Sequence, residues 1–267
     1  MTRNGALLIF VGMIVAFTGR PVHAIDVDLY GEASVKAMSS YVWRGRAVNS
    51  RATIQPELTV IVYPVTLNVW GTWDIVGEEA SSERTRVDTS IDYTYAVKQV
   101  EMKAGVVVHA YHDAPSGLAS DTYEMYLDAS MALDLYPQLY PSVIIYYDFG
   151  TIDGFYGAFS VMSPVPISES LDLLVRVTLG AGSSKFISAF YGSPPPDEGQ
   201  VAIDVEKDAL IHATLTASLP IKVWRTLRII PQVDYVTIID DTLRAAVEAS
   251  GDKADSTVLS IAGSWEF

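Results

Sequence analysis

Hydrophobic and polar residues alternate one by one over long stretches of this chain, and they hardly ever recur with the 3.6-residue period of a helix. Val87, Thr89, Ile91, Tyr93, Tyr95 and Val97 are interleaved with Asp88, Ser90, Asp92, Thr94, Ala96 and Lys98. Tyr123, Met125, Leu127, Ala129, Met131 and Leu133 are interleaved with Glu124, Tyr126, Asp128, Ser130, Ala132 and Asp134. Ala209, Ile211, Ala213, Leu215, Ala217 and Leu219 stand against Asp208, His212, Thr214, Thr216 and Ser218. Neighbouring side chains on a strand point to opposite faces, so each stretch predicts a strand with one apolar and one polar face. About twelve such segments are legible, near 27–43, 52–63, 65–76, 86–98, 100–112, 122–135, 139–149, 154–163, 170–181, 207–219, 226–239 and 256–267. Their length matches the ~10 residues of a membrane-crossing strand.

The connections alternate too. Tight turns fall at Tyr63-Pro64-Val65, Lys98-Gln99-Val100, Tyr136-Pro137-Gln138, Pro164 to Glu169, and Pro220 to Arg225. Longer polar loops lie between them: Arg44 to Arg51, Val76 to Thr85, Asp113 to Asp121, Gly150 to Gly154, Ser183 to Glu206, and Asp240 to Asp255. This regularity predicts an all-β fold, an up-and-down antiparallel transmembrane β-barrel with short periplasmic turns and longer extracellular loops. A soluble Greek-key sandwich has no reason to alternate its loop lengths. Pro56 and Pro231 fall inside predicted strands, where proline cannot donate to a ladder. Bulges, or local ends of pairing, are expected there.

Both ends of the chain fit export to a bacterial outer membrane. Arg3, the apolar run from Ala6 to Phe17, and small residues at Val22 and Ala24 predict a signal peptide over 1–24, which leaves 25–267 as the barrel. The apolar run is short against the ~20 residues of a membrane helix. At the other end Leu259, Ile261, Gly263, Trp265 and Phe267 share a face. A terminal aromatic on an alternating strand resembles the signal read by the barrel-assembly machinery, carried here by Trp265 and Phe267.

Composition sharpens the picture. Of 267 residues, 49% are hydrophobic and 19% charged, with 18 Lys+Arg against 32 Asp+Glu. A net charge of -14 excludes a nucleic-acid partner, because phosphate binding needs clustered bases. The absence of cysteine excludes disulfides, cysteine-ligated metals and a lipid-bearing N-terminal cysteine. A mean hydropathy of +0.24 without membrane helices is what apolar residues on alternate strand positions produce.

Assigning faces by parity points a charged set inward. Its candidate lumen and mouth charges are Glu32, Lys36, Arg44, Glu57, Asp74, Arg86, Asp88, Asp92, Glu124, Asp128, Asp148, Arg176, Asp208, Arg228 and Asp234. Such groups are costly against lipid and need an aqueous or mutually paired interior. Acids outnumber bases, which favours cations. One reading is a narrow, water-filled pore for small hydrophilic solutes with mild cation preference. The other is a lumen plugged by paired charges, in a structural or adhesive barrel. In the long loop, Lys185 to Tyr191 is too apolar for free solvation and either folds back into the mouth or packs on neighbouring loops. Asp241 to Glu248 predicts a short surface helix.

A lipid-processing enzyme is the rival class. The histidines after residue 24 are His109, His112 and His212. The first two stand three apart on one strand, hence on opposite faces. No Gly-x-Ser-x-Gly elbow, His-Glu-x-x-His or phosphate loop occurs. The expectation is therefore a non-enzymatic barrel without cofactor or metal. Its partners would be outer-membrane lipid and lipopolysaccharide, the assembly machinery, and small solutes or ions.

The run Ser39-Ser40-Tyr41-Val42-Trp43-Arg44-Gly45, then Ile54-Gln55-Pro56-Glu57-Leu58 and Asn68-Val69-Trp70-Gly71-Thr72-Trp73-Asp74, resembles the opening of the TorF-type porin family. The match covers the first three strands. The resemblance implies an outer-membrane barrel with a channel role and leaves the solute open. Gly71-Thr72-Trp73 departs from the Gly-Ser-Asn-like run of that family.

Overall fold

The structure is a computed structural model, and it describes residues 29–75, 85–112, 121–168, 171–192 and 205–267, with the side chains of Thr85 and His112 excepted. The predicted signal peptide, and the predicted loop segments 76–84, 113–120 and 193–204, lie outside the described residues. The elements run β1 (Leu29–Met38), β2 (Tyr41–Trp43), β3 (Arg46–Asn49), β4 (Thr53–Val62), β5 (Val65–Asp74), β6 (Thr85–Val97), β7 (Val100–His112) and β8 (Thr122–Met131). They continue with β9 (Tyr140–Asp148), β10 (Gly154–Ser168), β11 (Leu171–Gly182), α1 (Ser184–Tyr191), β12 (Ala209–Ser218), β13 (Ile221–Lys222), β14 (Leu227–Ile238), α2 (Asp241–Ala249) and β15 (Asp255–Glu266).

Every neighbour in the main sheet is antiparallel, and the order β12-β11-β10-β9-β8-β7-β6-β5-β4-β1-β15-β14 closes on itself through β12–β14 pairing. This is a closed barrel of twelve strands, with β13 as a short flap on β14. Gly31 and Phe267 exchange backbone hydrogen bonds of 2.9 Å, which seals the first strand to the chain end. Both described ends lie on the side of the short connections, the turn end; the long connections gather at the opposite, loop end.

The predicted face separation is present. Leu58, Leu67, Val69, Leu127, Ile145, Phe159, Val177, Leu215, Leu259 and Ile261 are exposed on the outside, although they are large and apolar. A belt of this kind is stable only against lipid. Directly opposed residues share a face, so the register carries the inner set from strand to strand: Trp70 opposes Asp88, Asp88 opposes His109, and Glu124 opposes Val107 and Asp148.

Four local expectations are corrected. The first predicted strand stops at Met38, and Tyr41 to Trp43 belongs instead to a separate hairpin, β2–β3. The turn expected from Pro164 to Glu169 is displaced, because β10 runs through Pro164 and Pro166 to Ser168. Beyond Met162 its ladder with β9 has ended, so one side of these prolines has no partner to lose. In β12 a bulge opposite Gly180/Ala181 lets Ile211 and His212 both point inward. Ile211 is therefore fully buried rather than on the outer face, and Asp208 is turned out of the lumen.

The two interior prolines sit at breaks. The β4–β5 ladder pairs Ile54 with Trp73 and resumes at Glu57 and Trp70, skipping Gln55 and Pro56 without a change of register. Pro231 accepts from Leu219 N–H where β12 ends, so its missing donor faces the gap between β12 and β13.

Candidate functional site

The chain leaves β1 at Ser39-Ser40 and turns into the barrel rather than away from it. Trp43 and Arg46 pair, and Arg44-Gly45 form a two-residue turn with φ of 51° and 91°. Positive φ at both central residues is the geometry of a tight hairpin turn. It is unfavourable at a non-glycine residue such as Arg44, so the surroundings must hold it there. Gly45 is required on a second count: a Cβ there would stand 2.6 Å from the side chain of His212 on β12.

The hairpin touches the wall on nearly every side. Tyr41 packs on Trp70 of β5, and Trp43 packs on His109 of β7. Arg44 reaches Glu124 of β8, and its guanidinium lies 4.6 Å from the Tyr146 ring of β9 and 4.5 Å from the Tyr156 ring of β10. An element that meets strands all around a closed barrel can only lie in its lumen.

Two arginines anchor it. Arg44 makes a bidentate pair with Glu124 at 2.7 and 2.5 Å, and both side chains are almost fully buried. Its plane is boxed by Trp43, Tyr146, Tyr156 and Phe186. Arg86 grips Asp88 through two bonds of 2.7 and 2.6 Å and lies 4.0 Å from the Trp43 ring. His109 joins the two pairs: Nδ1 lies 2.8 Å from Arg86 and 2.9 Å from Asp88, and Nε2 lies 3.0 Å from Glu124. Two guanidinium groups thus face two carboxylates in a continuous network. Fork-to-carboxylate bonds and ring faces offset the desolvation that buried charges suffer.

The two helices close over this network. Ser183 precedes α1, whose Phe186, Ile187 and Tyr191 are buried with Tyr156, Ile211 and Ile238 from the wall and Leu243, Ala246 and Val247 from α2. Tyr191 donates to the Arg44 carbonyl at 2.7 Å, and Arg46 donates to the Phe190 carbonyl. The apolar segment of the long loop thus packs on both the lumen hairpin and a neighbouring loop helix. Asp240 caps α2, as its side chain accepts from Thr242 and Leu243 N–H. Burial opposes its charge, but Lys207 and those two N–H groups outweigh burial and hold the carboxyl below its usual range. At the rim, the hydrogen bond from Lys185 lowers Asp153 in the same way.

The remaining predicted charges divide by depth. Below the hairpin, Lys36 lines a cavity of about 300 Å³ with Gln55, His212 and Asp234. Asp234 accepts from Thr216 and Gln232, and Asp92 accepts from Tyr126. Glu57 accepts from Asn68, and Asp128 stands opposite Lys103. At the turn end, Arg176 and Glu101 line a second cavity of about 350 Å³, Arg228 pairs with Glu266 at 2.7 Å, and Glu32 accepts from Ser264. Three predicted residues instead serve loops. Asp148 accepts three backbone N–H groups at 3.0 Å from Gly150, Thr151 and Ile152; Asp74 accepts from Asn49; and Asp208 accepts from Ser184 N–H. Trp265 and Phe267 are exposed at the turn end, with the Trp265 indole donating to Thr226.

Sequence reading missed Tyr41, Trp43, His109, Tyr146, Tyr156 and Phe186 as one site. The signal available was an aromatic next to an Arg-Gly pair in what reads as a polar loop. His212 bonds Tyr156 at 2.9 Å inside the barrel, and His109 also points inward. Among the described residues no group of acids and histidines is arranged to hold a metal.

A closed twelve-strand antiparallel sheet, apolar outside and charged within, defines the chain as a β-barrel of outer-membrane type. Two solved porin structures share this fold. The NanC porin aligns over 87% of this chain and 98% of its own, at 11% identity and a TM-score of 0.51. The KdgM porin, solved with disordered oligogalacturonate, aligns over 89% and 99% at 9% identity and a TM-score of 0.51. LpxR from Salmonella typhimurium aligns over 88% and 99% at 9% identity, with a looser TM-score of 0.48. No protein-family model and no curated protein sequence matches the chain.

Proposed function

We propose that this chain is a narrow porin-type channel of the bacterial outer membrane, which passes small hydrophilic solutes by diffusion and prefers cations mildly. The observation that carries the reading is the closed sheet with a lipid-compatible exterior and an ionisable interior. Twelve strands stand between barrels filled by their own side chains and barrels with open channels. The paired cluster at the loop end supplies the constriction. Outside that cluster Glu32, Glu57, Asp92, Glu101, Asp128, Asp234 and Glu266 outnumber Lys36, Lys103, Arg176 and Arg228 among the inward charges, which favours cations.

The proposal includes export by cleavage after Ala24, insertion through Trp265 and Phe267, contact with outer-membrane lipid and lipopolysaccharide, and action without catalysis. Kinship with the TorF-type family is part of it, carried by Ser39 to Gly45, which contains the lumen hairpin turn, and by Gln55-Pro56. Purified barrel in planar bilayers should give discrete single-channel currents, larger for K⁺ than for Cl⁻. A folded barrel that stays silent sinks the channel reading in favour of a plugged structural one.

A further inference from the structure

The cavity beneath the hairpin contains donors that no described residue satisfies. Lys36 on β1 and Gln55 on β4 are directly opposed in the register, so their side chains leave the wall about 5 Å apart. Both line the cavity of about 300 Å³. Gln55 is 6% exposed, and its Nε2 is buried without a hydrogen-bond partner. Lys36 makes no ion pair or hydrogen bond among the described residues. Elsewhere in the loop half of the lumen Arg44 and Arg86 are fully engaged by carboxylates, so this unpaired ammonium is a departure from the local rule.

Two strands along the same wall, on β14, the cavity lining has the complementary character. Asp234 accepts one hydrogen bond on each carboxylate oxygen, from Thr216 and Gln232. A carboxylate has about four lone-pair sites, so acceptor capacity remains. Donors on β4 and β1 and an acceptor on β14 suit a solute with an anionic group at one end and hydroxyls at the other. The volume is at the lower end of small-molecule sites.

We infer that the lumen cavity under the β2–β3 hairpin is a binding subsite for a small polyhydroxy carboxylate, its carboxylate held by Lys36 Nζ and Gln55 Nε2 and its hydroxyls turned toward Asp234. The inference deepens the channel reading by giving the pathway a selective site within an otherwise acidic lumen. It rests on that reading only for access to the lumen.

The test separates binding from conduction. Titration calorimetry on the detergent-purified, full barrel compares gluconate with sorbitol, which share a carbon skeleton and differ in the carboxylate. Gluconate should bind at least roughly tenfold more tightly, as expected for a hydrogen-bonded charge. Lys36→Gln should remove that advantage, Lys36→Arg should retain most of it, and Gln55→Leu should weaken gluconate several-fold, with heat-modifiable migration confirming each fold. Equal binding of the two solutes, no binding of gluconate, or an advantage that survives Lys36→Gln overturns the subsite. If Lys36→Gln does not fold, the gluconate–sorbitol comparison on the unaltered protein decides alone. A barrel that conducts but ignores gluconate refutes the subsite and leaves the channel; one that binds gluconate and never conducts refutes the channel and leaves the subsite.

Discussion

The two halves of the lumen are different solvents stacked along one axis. At the loop end the interior resembles a protein core: Phe186, Ile187, Ile211 and Leu243 are fully buried, and the charges of Arg44, Arg86, Asp88 and Glu124 are spent on one another. At the turn end the wall surrounds a cavity of about 350 Å³, and the Lys103–Glu101 pair remains partly exposed. The wall itself is the same alternating sheet in both halves. The difference comes from one hairpin and two helices that the loops place inside. Inserted elements can therefore fill a barrel's lumen to different degrees while the strands that hold it in lipid stay unchanged.

The most direct way to break the contrast is to remove the hairpin. Replacing residues 41–49 by a short Gly/Ser linker should open the loop half beneath the two helices and raise single-channel conductance several-fold. Unchanged conductance would mean that this hairpin does not limit the pathway.

Breaking one buried pair should act next most strongly, on stability. Glu124→Ala removes the bidentate partner of Arg44 and a partner of His109 together. Deleting one member of a buried ion pair typically costs ~3–5 kcal/mol, because the other charge stays buried and uncompensated. The temperature at which the folded band converts to the unfolded one on a denaturing gel should fall clearly. Asp128→Ala, at the turn end, should leave it nearly unchanged.

The halves also differ in how far sequence reveals them. Alternation such as Val87 to Val97 shows the wall, because a strand residue's face depends only on its parity. The loop-half site was hidden, because Arg44 and Glu124 lie 80 residues apart in the chain and meet only across the lumen. The inward turn at Ser39-Ser40 is masked, because Tyr41-Val42-Trp43 continues the alternation of β1 as if it were still in the wall, and only the Trp43-Arg44-Gly45 run stands out. Parity failed once more at Ile211, where a bulge moves one residue across the sheet and takes Asp208 out of the lumen. Conversely, Asp148 reads as a pore charge by parity, yet its carboxylate is spent on the three N–H groups of the next turn.

If the turn half is the aqueous, ion-selecting half, its charges should tune selectivity at little cost in stability. Asp128→Lys places a second cation opposite Lys103. The K⁺/Cl⁻ permeability ratio, taken from reversal potentials across a salt gradient, should fall toward or below unity. The stability change should stay near the ~0.5 kcal/mol typical of solvated positions. An unchanged ratio would place the selecting charges elsewhere.

The smallest effect should come from the edge of the loop-half core, at the cap of α2. Asp240→Ala leaves the Thr242 and Leu243 N–H groups without their acceptor and removes the ion pair of Lys207, which keeps its bond to Thr242, a loss of ~1 kcal/mol for the cap. Asp240→Asn separates the two contributions, since its amide oxygen can still cap while the charge is gone. Because the Asp240 carboxyl is held below its ordinary value, its charge-dependent contribution is complete above the unfolded-state range near pH ~4. It fades as pH falls through the lowered folded value. Proteolytic resistance of the 239–254 segment should therefore separate wild type from Asp240→Asn at neutral pH and converge in acid. A difference that persists below the folded value would show that Asp240 steadies α2 by geometry alone, and that the loop-half core does not depend on charge at its rim as it does at its centre.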